Sequence, residues 1–180
     1  RSVRLAEKHK LPIHVRSSFS PNNPGTLVTE REDMEQTKIT GIADKQELCF
    51  YECRTDKPST YIAEVTKWMH EHDAVFNFFE QNLLEGKTYI RQVLPQKLLR
   101  EFRIFTEKLG IGVEFLRVVE NLTMLTVVGL GMNRDIDLIK NIYSKIDAPL
   151  IANELNDDCC KLLIAEDHKE KTLDALHTLI

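Results

Sequence analysis

Cysteine and histidine are the side chains here with the most reactive chemistry, and their spacing argues against its use. Cys49 and Cys53 stand four residues apart in one apolar run. On a strand that spacing puts both on one face, about 13 Å apart and beyond disulfide reach. Cys159 and Cys160 are adjacent and point to opposite faces, which suits neither a disulfide nor a metal. His70 and His72 are two apart on a helical pattern and diverge around its axis, whereas a shared metal needs a spacing of three or four. The four cysteines therefore read as free structural thiols, and no catalytic or metal-binding residue is assigned. What remains is non-covalent chemistry. The polar loop from Arg54 to Ile62 runs into a helix start marked by Pro58 and Ser59, and such a turn offers unpaired backbone N–H groups to an anion. Gly129-Leu130-Gly131 resembles part of a dinucleotide loop, but the third glycine is absent and it reads as a tight turn.

The elements that must position this loop occur twice. The stretches from about Glu47 to Val119 and from about Met124 to Ile180 share one layout: strand, short polar loop, amphipathic helix, two strands and a second helix. Leu48-Cys49-Phe50-Tyr51-Glu52-Cys53 is apolar on both faces, as in an inner strand covered on both sides. Tyr61, Ile62, Val65, Trp68, Met69 and His72 form the buried stripe of the first helix. Val75 to Phe79 and Thr88 to Leu94 read as strands around a turn at Glu85-Gly86-Lys87. Pro95 opens a second helix with Leu98, Leu99, Phe102, Phe105 and Leu109 inward; Gly110 ends it, and Val113 to Val119 closes the unit. In the second unit, Met124 to Val128 is a strand, and Ile136, Ile139, Ile142, Tyr143 and Ile146 are a helical stripe. Leu150 to Leu155 and Cys160 to Ala165 are strands. Asp167 and Glu170 suggest a capping box for a last helix with Leu173, Leu176 and Ile180 inward. A final strand for this unit is missing, so it must be borrowed, or the edge left open.

Upstream, the chain reads as helix-like to Lys10, as a strand over Leu11 to Val15, as turn chemistry from Ser20 to Thr26, and as an acidic linker from Thr29 to Lys38. The expected division is residues 1–35 as the tail of another domain plus linker, 36–120 as a first strand-and-helix unit and 121–180 as a second. With 42% hydrophobic and 29% charged residues, the 180-residue chain supports real cores. A formal net charge of −4 and dispersed basic residues argue against a nucleic-acid partner. No run is long enough to span a membrane, and a cytoplasmic setting follows as the default.

Ala6-Glu7-Lys8 and Leu11 to Phe19, closing with Gly25-Thr26-Leu27-Val28, resemble the end of the catalytic domain of aspartate kinases. Thr40-Gly41-Ile42-Ala43 resembles the entry to that family's first ACT domain, Val127 to Met132 the opening of its second, and Ala175-Leu176-His177 its C-terminal region. The resemblance implies an α+β fold of tandem ferredoxin-like ACT domains, βαββαβ units with antiparallel sheets and helices on one face. It implies a parent enzyme that phosphorylates aspartate with ATP and Mg, inhibited by an end-product amino acid, lysine or threonine, bound at the ACT pair, and self-association as a homodimer. The family's Lys-Phe-Gly-Gly motif has no counterpart here, so this stretch is expected to hold no cofactor and to be inactive alone. Matching Ala63-Glu64-Val65 to the family's helix puts Ser59, Thr60, Tyr61 and Ile62 on the effector-facing turn, with Asn77, Gln81 and Asn82 on or near the facing strand. Where the family has Thr-Ser-Glu, this chain has Gln81-Asn82-Leu83, which leaves Glu80 as the nearest acid. Asn133, Arg134, Asp135 and Ile136 hold the equivalent turn of the second unit. The alternative is a freestanding ACT-type amino-acid sensor. An RNA-recognition module fails for want of its aromatic surface motif, and a small phosphatase for want of a phosphate loop after Phe50.

Overall fold

The computed structural model describes residues 11–15, 26–28 and 39–180. The helix-like run to Lys10, the Ser17-Ser18-Phe19 motif, most of the turn before Thr26 and the acidic linker lie outside the described residues. Within residues 1–36, β1 (Ile13–Val15) and β2 (Thr26–Val28) form an antiparallel pair. The stretch Thr37–Ile180 is a separate compact unit.

That unit contains β3 (Ile39–Thr55), α1 (Pro58–Glu71), β4 (Phe78–Leu84), β5 (Lys87–Pro95), α2 (Leu99–Lys108), β6 (Glu114–Gly129), α3 (Ile136–Ser144), β7 (Ala152–Leu155), β8 (Cys159–Ala165) and α4 (Lys169–His177). One six-stranded sheet runs in the order β4-β5-β3-β6-β8-β7, and all its pairings are antiparallel. The β4–β5 hairpin turns at Glu85 and Gly86, with φ of 51° and 74°; positive φ at both central residues is the geometry whose twist matches flanking strands.

The second unit's missing strand comes from the start of β3. Ile39 to Lys45 pairs with the second half of β6, Met124 to Gly129, while Leu48 to Arg54 pairs with the first half, Glu114 to Leu122. Each long strand thus serves both modules. The switch is made by irregularities around Glu47 and Asn121, whose φ values are 54° and 56°. Asparagine tolerates this left-handed conformation, and Gln96 secures it: its Oε1 accepts from the Asn121 backbone N–H at 2.7 Å, and its Nε2 donates to Asn121 Oδ1 at 3.1 Å.

Strand alternation divides the apolar residues among three clusters. Cys49, Tyr51 and Cys53 join Tyr61, Val65, Trp68, Met69 and Phe102 beneath α1 and α2. Leu125, Val127, Cys160 and Leu162 join Ile39, Ile142 and Leu176 beneath α3 and α4. The third cluster lies on the helix-free face and spans both modules: Leu48, Phe50, Phe78 and Val93 from one, Leu122, Met124 and Leu163 from the other, with Ala152 against them. β4 and β7 are the outermost strands, roughly 24 Å apart were the sheet flat, so their meeting in one cluster requires the sheet to curl about this face. Two lysines clasp the closure. Lys45 donates to Asn77 Oδ1 at 3.0 Å and Lys161 to the Asn77 carbonyl at 3.1 Å.

Some local expectations fail for visible reasons. Asp167 makes no cap, because the chain enters α4 through a 3-10 turn at Glu166–His168 without a side-chain cap bond. Ile136 is 79% exposed and leaves the helical stripe; Ile180 is 62% exposed, and Leu179 packs in its place. The cysteines are free thiols, and burial raises Cys49 to about 12 and Cys53 to about 11, well above a reactive range.

A variant lacking residues 1–45 tests the shared strand. Its β6 amides from Met124 to Gly129 are expected to lose hydrogen-exchange protection as the edge opens and the burial of Ile39, worth about 1.5–3 kcal/mol, is lost. Unchanged protection there would contradict the borrowed-strand reading.

Candidate functional site

The loop after β3 is ordered by Thr55, which is buried. Its Oγ1 donates to the Ile111 carbonyl at 3.3 Å and accepts from the Lys57 N–H at 3.1 Å. The chain then enters α1 with Lys57 at the N-cap, no side-chain capping bond, no acidic residue in the first turn, and Pro58 at the first helical position. Proline has no N–H, so the donors left at this end are the backbone amides of Ser59 and Thr60, on exposed residues. The helix dipole adds partial positive charge there. This helix start has two backbone donors without a side-chain cap.

The equivalent turn of the second module is closed. Asp135 occupies the N-cap of α3, and its Oδ1 accepts from the Leu138 N–H at 2.9 Å. Arg134 is paired with Asp157 at 3.4 Å, and Asn133 and Ile136 are exposed. The chain's own carboxylate satisfies that helix end.

The other expected residues separate. Tyr61 belongs to the core rather than to the ligand-facing turn: it is fully buried, and its hydroxyl lies 2.9 Å from that of Tyr51, which itself donates to Gln92 Oε1 at 2.5 Å. Ile62 is half-buried against the same cluster. Asn77 lies at the far end of the sheet. The row Leu83–Thr88–Thr55 marks the end where α1 begins, and the row Phe78–Val93–Phe50 marks the other, so Asn77 is about 20 Å from Leu83 along β4. Its side chain is engaged by Lys45, in the clasp described above. Gln81 and Asn82, both exposed, align with Cys53 and Arg54 near the α1 end. Glu80 is turned away from α1: it pairs with Arg91 at 3.3 Å on the helix-free face. Sequence reasoning missed the contrast between Lys57 and Asp135 at equivalent caps, although both residue types were plain to read.

No protein-family model matches the chain. Among curated proteins, chloroplastic aspartokinase 3 of Arabidopsis thaliana is 23% identical over 193 residues, covering 98% of this chain and 33% of its own length. The aspartokinase of Rickettsia felis is 24% identical over 184 residues, covering 99% of this chain and 45% of its own. The chain thus spans less than half the length of these relatives. Among solved structures, the ligand-free regulatory subunit of aspartate kinase from Thermus thermophilus superposes with a TM-score of 0.66 at 15% identity, covering 79% of this chain and 98% of that one. The aspartate kinase of Clostridium acetobutylicum gives 0.68 at 13% identity, covering 99% and 44%. Aspartokinase III of E. coli, in complex with lysine and aspartate in its T-state, gives 0.63 at 15% identity, covering 98% and 40%.

The chain is similar to aspartokinases along almost its whole length. Its fold is the ferredoxin-like tandem ACT arrangement that these structures share. Among the described residues no helix is long and apolar enough to cross a membrane.

Replacing Asp135 with alanine removes the α3 cap and should cost about 1 kcal/mol, read as a fall in Tm of about 2–4 °C. No change in Tm would mean that the Asp135 carboxylate does not hold that helix end.

Proposed function

We propose that this aspartokinase region binds an end-product amino acid, lysine or threonine, at the start of α1 in the first module, and thereby restrains ATP-dependent phosphorylation of aspartate by a catalytic part of the parent protein. The observation that carries the reading is the cap asymmetry: Lys57 leaves the Ser59 and Thr60 amides open, whereas Asp135 fills the equivalent place in the second module. The effector's carboxylate takes those two amides. Gln81, on the same face of the sheet as its partner Ile90 beneath the helices, offers a side-chain carbonyl to the ammonium. Asn82, beside it in the row with Arg54, lines the same end. The second-module residues Asn133, Arg134, Asp135 and Ile136 serve the fold rather than a ligand.

Support comes from the relatives. E. coli aspartokinase III, of similar fold, has been solved with lysine and aspartate, and also with aspartate and ADP. Catalysis, with its ATP and Mg, is assigned to the length of the relatives that this chain does not span. An effector can shift such an enzyme only through unequal affinity for its two states, and the strands that both modules share link the site mechanically to the rest of the unit.

Lys57→Asp separates binding from folding. An aspartate at this N-cap should accept from the Ser59 or Thr60 N–H as Asp135 does from Leu138, adding about 1 kcal/mol of stability while blocking the carboxylate. Calorimetry with lysine and with threonine should show at least ~10-fold weaker binding of whichever one the native chain takes, together with a raised Tm. The same change in the parent enzyme should leave its activity resistant to that amino acid. A raised Tm with unaltered affinity would overturn this placement of the site.

A further inference from the structure

The two modules share a layout but not the core beneath their first helices. In the first, Tyr51 on β3 and Gln92 on β5 stand opposite each other, and in the second the opposed pair on β6 and β8 is Leu125 and Leu162. The ladders Leu48–Pro95 and Leu122–Ala165 set the equivalence, each pair lying three residues further in. All four side chains are wholly buried. The helix residue whose N–H bonds the carbonyl of the N-cap is Tyr61 in α1 and Ile139 in α3. Three polar positions thus answer three apolar ones. The Tyr51 hydroxyl gives its proton to Gln92 Oε1 at 2.5 Å, so the Tyr61 hydroxyl, 2.9 Å away, donates to Tyr51. Burial raises both phenols far above the neutral range, and each keeps a proton to give. The chain of bonds ends in a defect: Gln92 Nε2 is buried and has no hydrogen-bond partner among the described residues.

An apolar arrangement serves the same fold in the second module, so packing alone does not call for the polar trio, and a buried donor left unmatched makes it costly. Its position says what it does instead. Tyr61 lies in the first turn of α1, directly after Thr60, at a helix end that no side chain caps. Tyr51 lies on β3, the strand both modules share, with its ring against Phe102 of α2 and Phe115 of β6 at centroid distances of 5.0 and 5.6 Å. We propose that the hydroxyl chain Tyr61–Tyr51–Gln92 is a latch that fixes where the first turn of α1 stands on the shared strand, which makes Tyr61 and Tyr51 positioning residues for the Ser59 and Thr60 amides. Apolar burial is non-directional and tolerates sliding, whereas a hydrogen bond has a preferred length and angle and selects one placement. The positioning role rests on the reading that those two amides meet a ligand; the latch itself does not.

The triple change Tyr51→Phe, Tyr61→Phe and Gln92→Met in the 180-residue chain removes the three polar groups at nearly constant shape, which apolar cores tolerate. Hydrogen exchange of the α1 amides from Tyr61 to Val65 should quicken at least ~10-fold relative to those of α3, with a Tm equal to or above the native value. Tyr61→Phe alone, which leaves the Tyr51–Gln92 bond in place, should show the same selective loosening of α1. Calorimetry with whichever of lysine and threonine the native chain takes should then report at least ~5-fold weaker binding to both variants. Exchange in α1 that is unchanged, or that rises only in step with α3, would overturn the latch and leave the trio an ordinary part of the core. Should neither amino acid bind the native chain, the α1 ligand reading fails, while the ratio of α1 to α3 exchange still decides the latch.

Discussion

The structure depends on one constraint: β3 and β6 lie side by side along almost their whole length, and each gives one half to each module. Paired backbone groups along an inner strand leave no edge, so neither module has an exposed strand where the two meet. The cost is a change of pleat in mid-strand, taken up at Glu47 and Asn121 in left-handed backbone and held by the reciprocal Gln96 bonds. Everything on the helix-free face follows. Because both modules hang from the same two strands, their bare sheet faces turn toward each other, and Phe50, Phe78, Met124 and Leu163 fill one shared core. The modules are repeated in layout yet are not independent bodies.

Against that shared frame, the two helix starts diverge. α3 begins with a carboxylate that satisfies its own first turn, whereas α1 begins with lysine and proline and leaves two amides unmet. The difference lies in two residues at the helix start, and it leaves one module's helix capped by its own side chain and the other's uncapped.

How much of this could be read from the sequence depended on how local each feature is. The stripes Tyr61–Val65–Trp68 and Ile139–Ile142–Ile146 announced their helices, and Glu85-Gly86 its hairpin, because period and turn chemistry act within a few residues. β4 was placed too early, since Val75 and Phe76 are apolar yet precede the strand, and the exposed Leu83 and Leu84 extend it. That the second unit lacks a strand was legible, but its source was not: Ile39 to Lys45 finds its partner roughly eighty to ninety residues later, as in Ile39 with Gly129, and no local signal encodes that pairing. The same holds for Asn77, which follows the helix in sequence but sits at the wrong end of the sheet for the α1 site. The charged row Glu80–Arg91–Glu52–Arg117 was invisible for a related reason, as it exists only once three registers are fixed. Tyr61 fitted both the buried stripe and the ligand turn, and its hydroxyl partner Tyr51 decides for the stripe.

A crystal structure of the chain grown with lysine, and a second with threonine, tests the central claim most directly. The account predicts that one of the two amino acids places its carboxylate on the Ser59 and Thr60 amides, with the start of α3 still closed by Asp135. A carboxylate on the α3 turn, or a fully occupied ligand elsewhere with those two amides left to water, would contradict it.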